Sequence, residues 1–355
     1  VTGVQTCALP IYFEFQSVRL SEMQFYLSRQ PDALKFKIDP FVLAIIVVVA
    51  MAYIFPVSAY ADNILDGIST VGISLIFLFY GLKLSHEKLV SGLKNWKLHL
   101  LVHTTTFMIF PLIVLAFRPL VTTENGFSIW LAFLFLASLP STVSSSVVMV
   151  SMAGGNVPAA IFNASLSGLL GIVITPLWMG LFLNHSDASF DFTGTYTRLF
   201  LQIIVPVIAG LLLRRYLGNY AHQFSRELSM FDRSMILLIV YKSFAASFGQ
   251  KVFSHVTPGD LLLIFAGTAM LFYVVFCLTA YLSGLLGFNR EDRIVAQYCG
   301  TKKSLVHGTV FSKILFQEST AGLTLLPLMV FHALQIFIIS VIASGESARA
   351  KSSQP

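Results

Sequence analysis

The sequence predicts an all-α membrane protein with ten transmembrane helices. Of its 355 residues, 56% are hydrophobic and only 11% are charged, whereas soluble domains carry about 25% charged residues. Ten apolar runs approach the length of about 20 residues that a helix needs to cross hydrocarbon. The runs are continuous, so they lack the alternation of a membrane β-barrel strand. Because backbone groups in lipid must bond within their own segment, we expect the runs to be helices.

The predicted elements follow the apolar runs in order. The spans cover residues 40–58, 64–82, 98–117, 127–152, 157–183, 199–217, 231–249, 259–287, 292–316 and 322–343. They form a single transmembrane domain over 39–343, preceded by an N-terminal segment, 1–38. Its first residues, 1–11 (VTGVQTCALPI), match nothing downstream, and we interpret them as a non-native scar. The polar tail 344–355 is expected to be disordered.

Basic residues between the spans predict the orientation. The side that holds both termini carries most of the loop lysines and arginines, and the opposite side carries only Arg118, Arg198 and Lys251. Cytoplasmic loops are enriched in Lys and Arg, so both termini are expected in the cytoplasm, with the chain in the plasma (inner) membrane. The basic residues do not cluster, which argues against a nucleic-acid partner despite the net charge of +6.

Four lysines fall inside predicted spans: Lys242, Lys302, Lys303 and Lys313. An ammonium at mid-bilayer costs about 2.5–3.5 kcal/mol, so such residues normally face a cavity or a partner. Lys313 lies near the end of span nine and can extend to the interface. Lys302 and Lys303 lie deep within the span, too far from its ends for their side chains to extend readily to the interface. The sequence identifies no partner for Lys242.

Two spans are interrupted. Span four contains SLPSTVSSS at 138–146, in which Pro140 cannot donate a backbone hydrogen bond. The hydroxyls around it can bond to freed carbonyls or coordinate a polar guest. Span nine contains CGTKKS at 299–304, where Gly300 weakens the helix.

The interruptions occupy the fourth position of each five-span half. Five is odd, so the second half enters the membrane from the opposite face, which permits an inverted five-plus-five repeat of 39–183 and 199–343. Paired interruptions at corresponding places are the best sequence pointer to a transporter site. The alternative interpretation is that each break is a harmless kink.

Four motifs carry a resemblance to a known family. They are KIDPF at 37–41, NWKLHL at 95–100, the long stretch SLPSTVSSSVVMVSMAGGNVPAAIFNASLSGLLGIVITPL at 138–177, and YCGTKKSLVHGTVFSKILF at 298–316. The chain resembles the bile acid:sodium symporter superfamily, in particular the branch of the seventh vertebrate sodium/bile-acid cotransporter family member and its bacterial relatives. The resemblance implies ten helices, with the fourth and ninth unwound and crossing at mid-membrane. It also implies panel and core domains that alternate access.

The resemblance also implies a set of substrate- and ion-binding residues near the helix crossing. In sodium-coupled members, polar groups and carbonyls of helices three, four, five and nine hold the ions. The corresponding positions here are Thr106, Ser144, Ser145, Ser146, Asn163, Ser167, Cys299, Thr301, Lys302, Lys303 and Ser304. His103 lies three residues before Thr106 and is interpreted as a core histidine rather than a proton relay.

Span nine departs from the family pattern. Where coupled members place a carboxylate, the chain has Cys299 and Gly300, followed by two lysines. At ~5 Å and an effective dielectric of about 20, an ammonium would repel a sodium ion by about 3 kcal/mol. Sodium coupling of the usual type is therefore not expected.

Two hypotheses remain open for Lys302 and Lys303. In one, a lysine supplies the charge of the missing ion, while the other reaches the interface or meets an anionic substrate. Desolvation disfavours a charged amine, so a proton is a second candidate coupling ion besides sodium. In the other, both lysines are structural counter-charges bonded to unwound carbonyls.

The predicted function is a secondary active, symporter-like transporter for an organic anion or other amphipathic solute. The expected partners are the lipid bilayer and the solute, with no cofactor besides a coupling ion. One alternative is a non-transporting regulator of calcium or membrane homeostasis. Another is an intramembrane hydrolase that pairs Ser145 with Lys303. The sequence contains no phosphate-binding P-loop, and a transporter rather than an enzyme is predicted.

Overall fold

The computed structural model describes residues 40–55, 57, 59–84, 95–183 and 192–352. The predicted N-terminal segment 1–38, with the proposed scar 1–11, lies outside these ranges. Within them the chain is almost entirely helical and contains no strand. The prediction of an all-α protein is therefore confirmed for the described residues.

Fourteen α-helices follow one another along the described chain. They are α1 (Pro40–Ile54), α2 (Ala59–Lys83), α3 (Trp96–Thr104), α4 (Phe110–Ala116), α5 (Glu124–Ser138), α6 (Ser144–Met152), α7 (Val157–Leu183), α8 (Phe192–Leu199), α9 (Val205–Gln223), α10 (Ser225–Gly249), α11 (Pro258–Leu285), α12 (Arg290–Thr301), α13 (Leu305–Leu315) and α14 (Glu318–Ser352). Single π-helical turns, Thr105–Ile109 and Phe200–Ile204, join α3 to α4 and α8 to α9.

Within the described ranges, six helical stretches are long and apolar enough to cross a membrane. They are Ala61–Lys83, Trp96–Leu120, Val157–Leu183, Thr197–Gln223, Pro258–Leu285 and Thr320–Ala343. Two shorter apolar helices, Pro40–Ile54 and Glu124–Ser138, accompany them. The stretches contain 23 to 28 residues, which is sufficient to span hydrocarbon with some tilt.

The last helix extends further than the sequence suggested. Helix α14 continues to Ser352, whereas residues 344–355 were expected to be disordered. The tail contains Ala, Arg, Glu and Lys, which favour helix, and adding residues to an existing helix avoids the cost of nucleation. Helix α10 likewise begins at Ser225, before residue 231, where the predicted span starts.

Helix α2 packs along α9 with an unusually close backbone approach. A Cβ on Gly81 would collide with the carbonyl oxygen of Val207, and one on Gly210 with that of Leu78. Small residues at such points allow two membrane helices to pack backbone against backbone. This pair therefore forms a fixed ridge, which also packs against α10.

The broken helices pack among the remaining helices. Helix α12 contacts α3, α6, α7 and α11, and α13 contacts α7, α10 and α14. Helix α14 also packs against α5 and α6. The two breaks are thus enclosed by protein, which is where irregular backbone at membrane depth is tolerated.

Candidate functional site

Two helix breaks meet inside the protein. Helix α5 ends at Ser138 and α6 begins at Ser144, while α12 ends at Thr301 and α13 begins at Leu305. The backbone N–H of Ser304 donates to the carbonyl of Pro140 at 2.8 Å. The two interruptions that the sequence singled out therefore lie against each other.

The backbone of both breaks is extended. Leu139 and Lys302 have ψ angles of 150° and Ser304 has 114°. Proline explains the first break, because it cannot continue the hydrogen-bonding pattern of α5. In the second, Ser304 caps α13 by accepting from the N–H of His307 at 3.3 Å, and its Oγ lies 2.9 Å from the Nδ1 of the same histidine.

Lys303 is fully buried and is held by backbone carbonyls. Its Nζ donates to the carbonyl oxygens of Thr106 at 2.8 Å, Ala137 at 2.6 Å and Leu139 at 2.9 Å. The ammonium also lies 4.1 Å from the ring centroid of Phe110, a cation–π distance. All three hydrogens of an ammonium group are needed for these three bonds.

The local folding of two helices explains why these carbonyls are available. Ala137 and Leu139 lie at the C-terminal end of α5, where the last carbonyls of a helix have no intrahelical partner. This end also carries the negative pole of the helix dipole, which favours a cation. Thr106 lies in the π-helical turn after α3, and such turns disturb the regular ladder of hydrogen bonds.

Gln335 of α14 clamps the backbone of Lys303. Its Oε1 accepts from the N–H of Lys303 at 2.8 Å, and its Nε2 donates to the carbonyl of the same residue at 2.8 Å. The Nε2 also lies 3.0 Å from the Nδ1 of His332. The amide therefore replaces the helical partners that the break removes, and it fixes the direction from which the side chain leaves.

Lys302 is equally buried but weakly held. Its Nζ lies 3.3 Å from the Oγ of Ser145 and 3.1 Å from the Sδ of Met149, both on α6. The Oγ1 of Thr142 is 2.9 Å from Ser145 and 3.1 Å from the Oγ of Ser146. A thioether is a weak acceptor, so among the described residues Lys302 has one hydroxyl as its stronger partner, in contrast to the three carbonyls on Lys303.

No carboxylate neutralises either lysine within the described ranges. The ion pairs found there involve Lys83, Lys242 and Lys313 instead. The same part of the chain also contains no group of three His, Cys, Asp or Glu side chains placed to hold a metal ion. The described structure thus places two lysine amines next to hydroxyls and carbonyls, with no carboxylate beside them.

Two other predicted residues tie neighbouring helices to the breaks. Thr106 donates through Oγ1 to the carbonyls of Val102 at 2.9 Å and Gly300 at 3.2 Å. The Oγ of Ser167 accepts from the N–H of Ser141 at 2.9 Å. Both predicted residues therefore stand beside the crossing.

The remaining predicted residues are bonded to the surrounding helices. Asn163 lies 3.1 Å from the Nδ1 of His99 and donates to Ala159. Thr301 donates to Gln297 at 2.5 Å, and the Sγ of Cys299 lies 3.9 Å from the carbonyl of Ala160. Ser144 begins α6, but its side chain lies outside the described part of the structure. The ring nitrogens of His103 are buried and have no hydrogen-bond partner among the described residues.

The sequence did not predict the parts of the site that no side-chain pattern marks. The three carbonyls around Lys303 belong to an ordinary apolar stretch and a threonine, and nothing in their side chains marks them. Gln335 lies within an apolar run, and no pattern in the sequence marks it as part of the site. The hydrolase alternative paired Ser145 with Lys303, whereas the structure places Ser145 against Lys302.

Two span lysines gain partners that the sequence did not identify. Lys242 pairs with Asp62 and Asp66 of α2, and Lys313 pairs with Asp66. From the sequence, Lys313 could extend to the interface or face a partner, and the structure gives it a partner. The pairing was not predictable from spacing, because the partners are far apart in the sequence.

Comparison with known proteins identifies relatives over nearly the whole described chain. The profile of the SBF-like CPA transporter family matches residues 39–347. The Escherichia coli protein named "Putative symporter YfeH" is 35% identical over 308 residues, covering 86% of this chain and 92% of the relative. "Sodium/bile acid cotransporter 7" of Xenopus tropicalis is 31% identical over 313 residues, covering 85% and 90%. A Pseudomonas aeruginosa protein, "Uncharacterized protein PA2026", is 37% identical over 315 residues, covering 89% and 95%. The two relatives whose names state an activity are named as transporters, not as enzymes.

Proposed function

Because the chain belongs to the SBF-like CPA transporter family, we propose that it is a symporter-like secondary transporter for an organic anion or other amphipathic solute, acting in the plasma membrane. The observation that carries this proposal is Lys302, a buried ammonium beside the start of α6 with one hydroxyl and one thioether as partners. An ionisable group at membrane depth marks a substrate or ion pathway by default.

In the proposed arrangement the chain crosses the membrane ten times. Each broken pair, α5–α6 and α12–α13, forms one membrane span, and so does each pair joined by a π-helical turn. The two breaks then fall in the fourth span of each half, which supports an inverted repeat. The excess of basic loop residues on one side supports cytoplasmic termini.

Lys303 is proposed to act as a built-in cation. Carbonyl oxygens are the ligands that hard cations prefer, and the three carbonyls around Lys303 already share an ammonium. A sodium ion at this place would have to displace that ammonium and would meet no carboxylate. The proposal is therefore that the protein does not use sodium in the way that the vertebrate relative's name states for that protein.

Lys302 is proposed to meet the anionic group of the solute. It lies beside the first turn of α6, where unbonded N–H groups and the helix dipole favour an anion. The hydroxyls of Thr142, Ser145 and Ser146 add donors at the same end. In this proposal the coupling ion is a proton on Lys302, because Lys303 commits all three of its hydrogens to carbonyls.

Uptake into proteoliposomes tests the proposal. The probes are radiolabelled organic anions, with a bile acid first because of the vertebrate relative's name, and neutral and cationic amphiphiles of similar size. Wild type is compared with Lys302→Gln and with Lys97→Gln, which removes an exposed lysine at the start of α3. We expect saturable uptake of at least one anion, reduced about tenfold in Lys302→Gln, since a hydrogen bond to a charged group contributes roughly 1.5–3 kcal/mol. Uptake confined to neutral or cationic probes, or unchanged in Lys302→Gln, would contradict it.

A further inference from the structure

A second group of charges, two shielded lysines and two aspartates that are 39% and 42% exposed, lies outside the crossing. Asp62 and Asp66, one turn apart on α2, face two lysines from other helices. The Nζ of Lys242 on α10 lies 3.0 Å from Oδ1 of Asp62 and 2.6 Å from Oδ1 of Asp66. The Nζ of Lys313 on α13 lies 2.9 Å from the same Asp66 oxygen, and it also bonds to the Oγ of Ser69. Two acids and two bases balance, so the network is electrically neutral.

The network belongs to one end of the protein. Asp62 and Asp66 are in the first turns of α2, whereas Lys313 is in the last turn of α13. Lys242 lies in the second half of α10. The lysine side chains are only 5% and 16% exposed, and they border a cavity of about 10 Å³ that Ser69 and Ser243 also line. A cavity of this size has room for about one water molecule.

Helix α2 makes two different kinds of contact. With α9 it packs backbone against backbone at Gly81 and Gly210, where there is no room for a Cβ. With the helices of the crossing, the bonds described are made by side chains. The hydroxyl of Tyr80 donates to the carbonyl of Ser165 on α7 at 2.6 Å. The ring of His307 on α13 packs edge-on against Tyr80, and at the end of α13 the ion pair completes the contact.

The two lysines that pair with Asp62 and Asp66 link α2 to different helices. Lys242 links α2 to α10, a helix that packs against α2 and also against α13. Lys313 sits on α13, the second half of the broken helix that forms the crossing. Its ion pair with Asp66 and its bond to Ser69 tie α13 directly to α2 at this end.

We propose that the Asp66–Lys313 ion pair is a releasable latch, which closes one end of the interface between α2 and the crossing. The inference rests on the proposed function, because only a transporter needs that interface to open. With cytoplasmic termini, the latched end faces the outside. Release leaves Asp66 paired with Lys242, so opening exposes no bare carboxylate in the membrane. Lys313 is then free to meet an anionic solute at the entrance.

A thiol-accessibility experiment tests the latch without any solute. Ser243, 6% exposed and on the wall of the small cavity, is replaced by cysteine in a chain whose own three cysteines are replaced by serine. Labelling rates are measured by mass spectrometry in nanodiscs with a cationic and an anionic membrane-impermeant methanethiosulfonate. The two reagents separate opening from local charge, because only opening accelerates both.

Charge reversal and its rescue give the decisive comparison. Lys313→Asp is expected to raise both labelling rates about tenfold, equivalent to ~1.4 kcal/mol toward the open form. Adding Asp66→Lys restores an opposite-charge pair with residue 313 but removes the Lys242–Asp66 pair, so Asp66→Lys alone is measured beside it, and the double variant is expected to label more slowly than either single variant. Lys83→Asp breaks the other Lys–Asp pair between α2 and α10, with Asp232 at 3.6 Å, and is expected to leave the rates unchanged.

Three outcomes would contradict the latch. Lys313→Asp labels at the wild-type rate, the folded double variant labels no more slowly than Lys313→Asp, or Lys83→Asp raises the labelling rates as much as Lys313→Asp does. If Lys313→Asp does not fold, Lys313→Met replaces it, with the same expected increase and the same contradiction if labelling stays slow. Labelling needs no solute, so failed uptake with intact latch behaviour would reject the proposed function and not the latch.

Discussion

Two adjacent lysines have opposite environments at the helix crossing. Lys303 has three carbonyl partners and an aromatic ring, whereas Lys302 has a hydroxyl and a thioether. The sequence predicted that both lysines are central, from their depth in span nine. It could not say which one is bonded to carbonyls, because backbone acceptors have the same chemistry at every residue. The assignment of separate roles therefore depends on the three-dimensional structure.

Neutral replacements of similar length should separate these two lysines. Lys303→Met removes the donor from three buried carbonyls, and each unsatisfied group costs about 1–3 kcal/mol. We expect a loss of roughly 3 kcal/mol, seen as a clearly lower midpoint of thermal unfolding in detergent. Lys302→Met removes a poorly compensated buried charge and should be neutral or stabilising. Equal destabilisation by both variants would refute the distinction.

At the level of the helices, side-chain hydrogen bonds to one buried carboxylate connect the ends of three helices. The carboxylate of Asp292, in the first turn of α12, accepts from Asn95 before α3 at 2.6 Å and from Asn156 before α7 at 2.9 Å. Two of these residues lie in motifs that carried the family resemblance. The motifs are visible in the sequence but their contact is not, because the three residues are distant along the chain.

Removing this carboxylate should loosen three helices together. Asp292→Ala leaves two amide groups without their acceptor, and we expect about 2–4 kcal/mol of destabilisation. The control is Glu291→Ala, since Glu291 shares the first turn of α12 but is exposed. That variant should stay within about 0.5 kcal/mol of wild type. Chemical or thermal unfolding gives the free energy of unfolding of both variants. Equal losses would show that the two hydrogen bonds of Asp292 add nothing to the interaction of a first-turn carboxylate with the helix dipole.

The glycine contact between α2 and α9 gives a second test at this scale. Gly81→Ala places a methyl group against the carbonyl of Val207, and overpacking of this kind typically costs about 1–3 kcal/mol. Gly67, in the same helix, has open space around it. Gly67→Ala should therefore be neutral or gain up to about 1 kcal/mol through helix propensity. A midpoint of thermal unfolding for Gly81→Ala equal to or above that of wild type would contradict the close packing of α2 against α9.

At the scale of the whole molecule, hydrophobic length was the predictable property. Apolar runs predicted membrane helices, and the structure has six stretches of sufficient length within the described residues. Helices α10, α12 and α13 carry charges or adjoin a break, so length and hydropathy alone do not identify them as membrane-spanning. These helices are the ones that bring Lys242, Lys302, Lys303 and Lys313 into the membrane region. Their partners come from other helices, so pairing could not be predicted from local sequence.

The central claim is that the Lys303 ammonium takes the place of a sodium ion. Thermal unfolding of the purified protein in sodium chloride and in choline chloride of equal ionic strength tests it most directly, since a ligand that binds the folded state stabilises it. We predict that sodium leaves the midpoints of wild type and of Lys302→Ala unchanged, but raises that of Lys303→Ala in a saturable manner. Saturable stabilisation of the wild-type protein by sodium would contradict the claim.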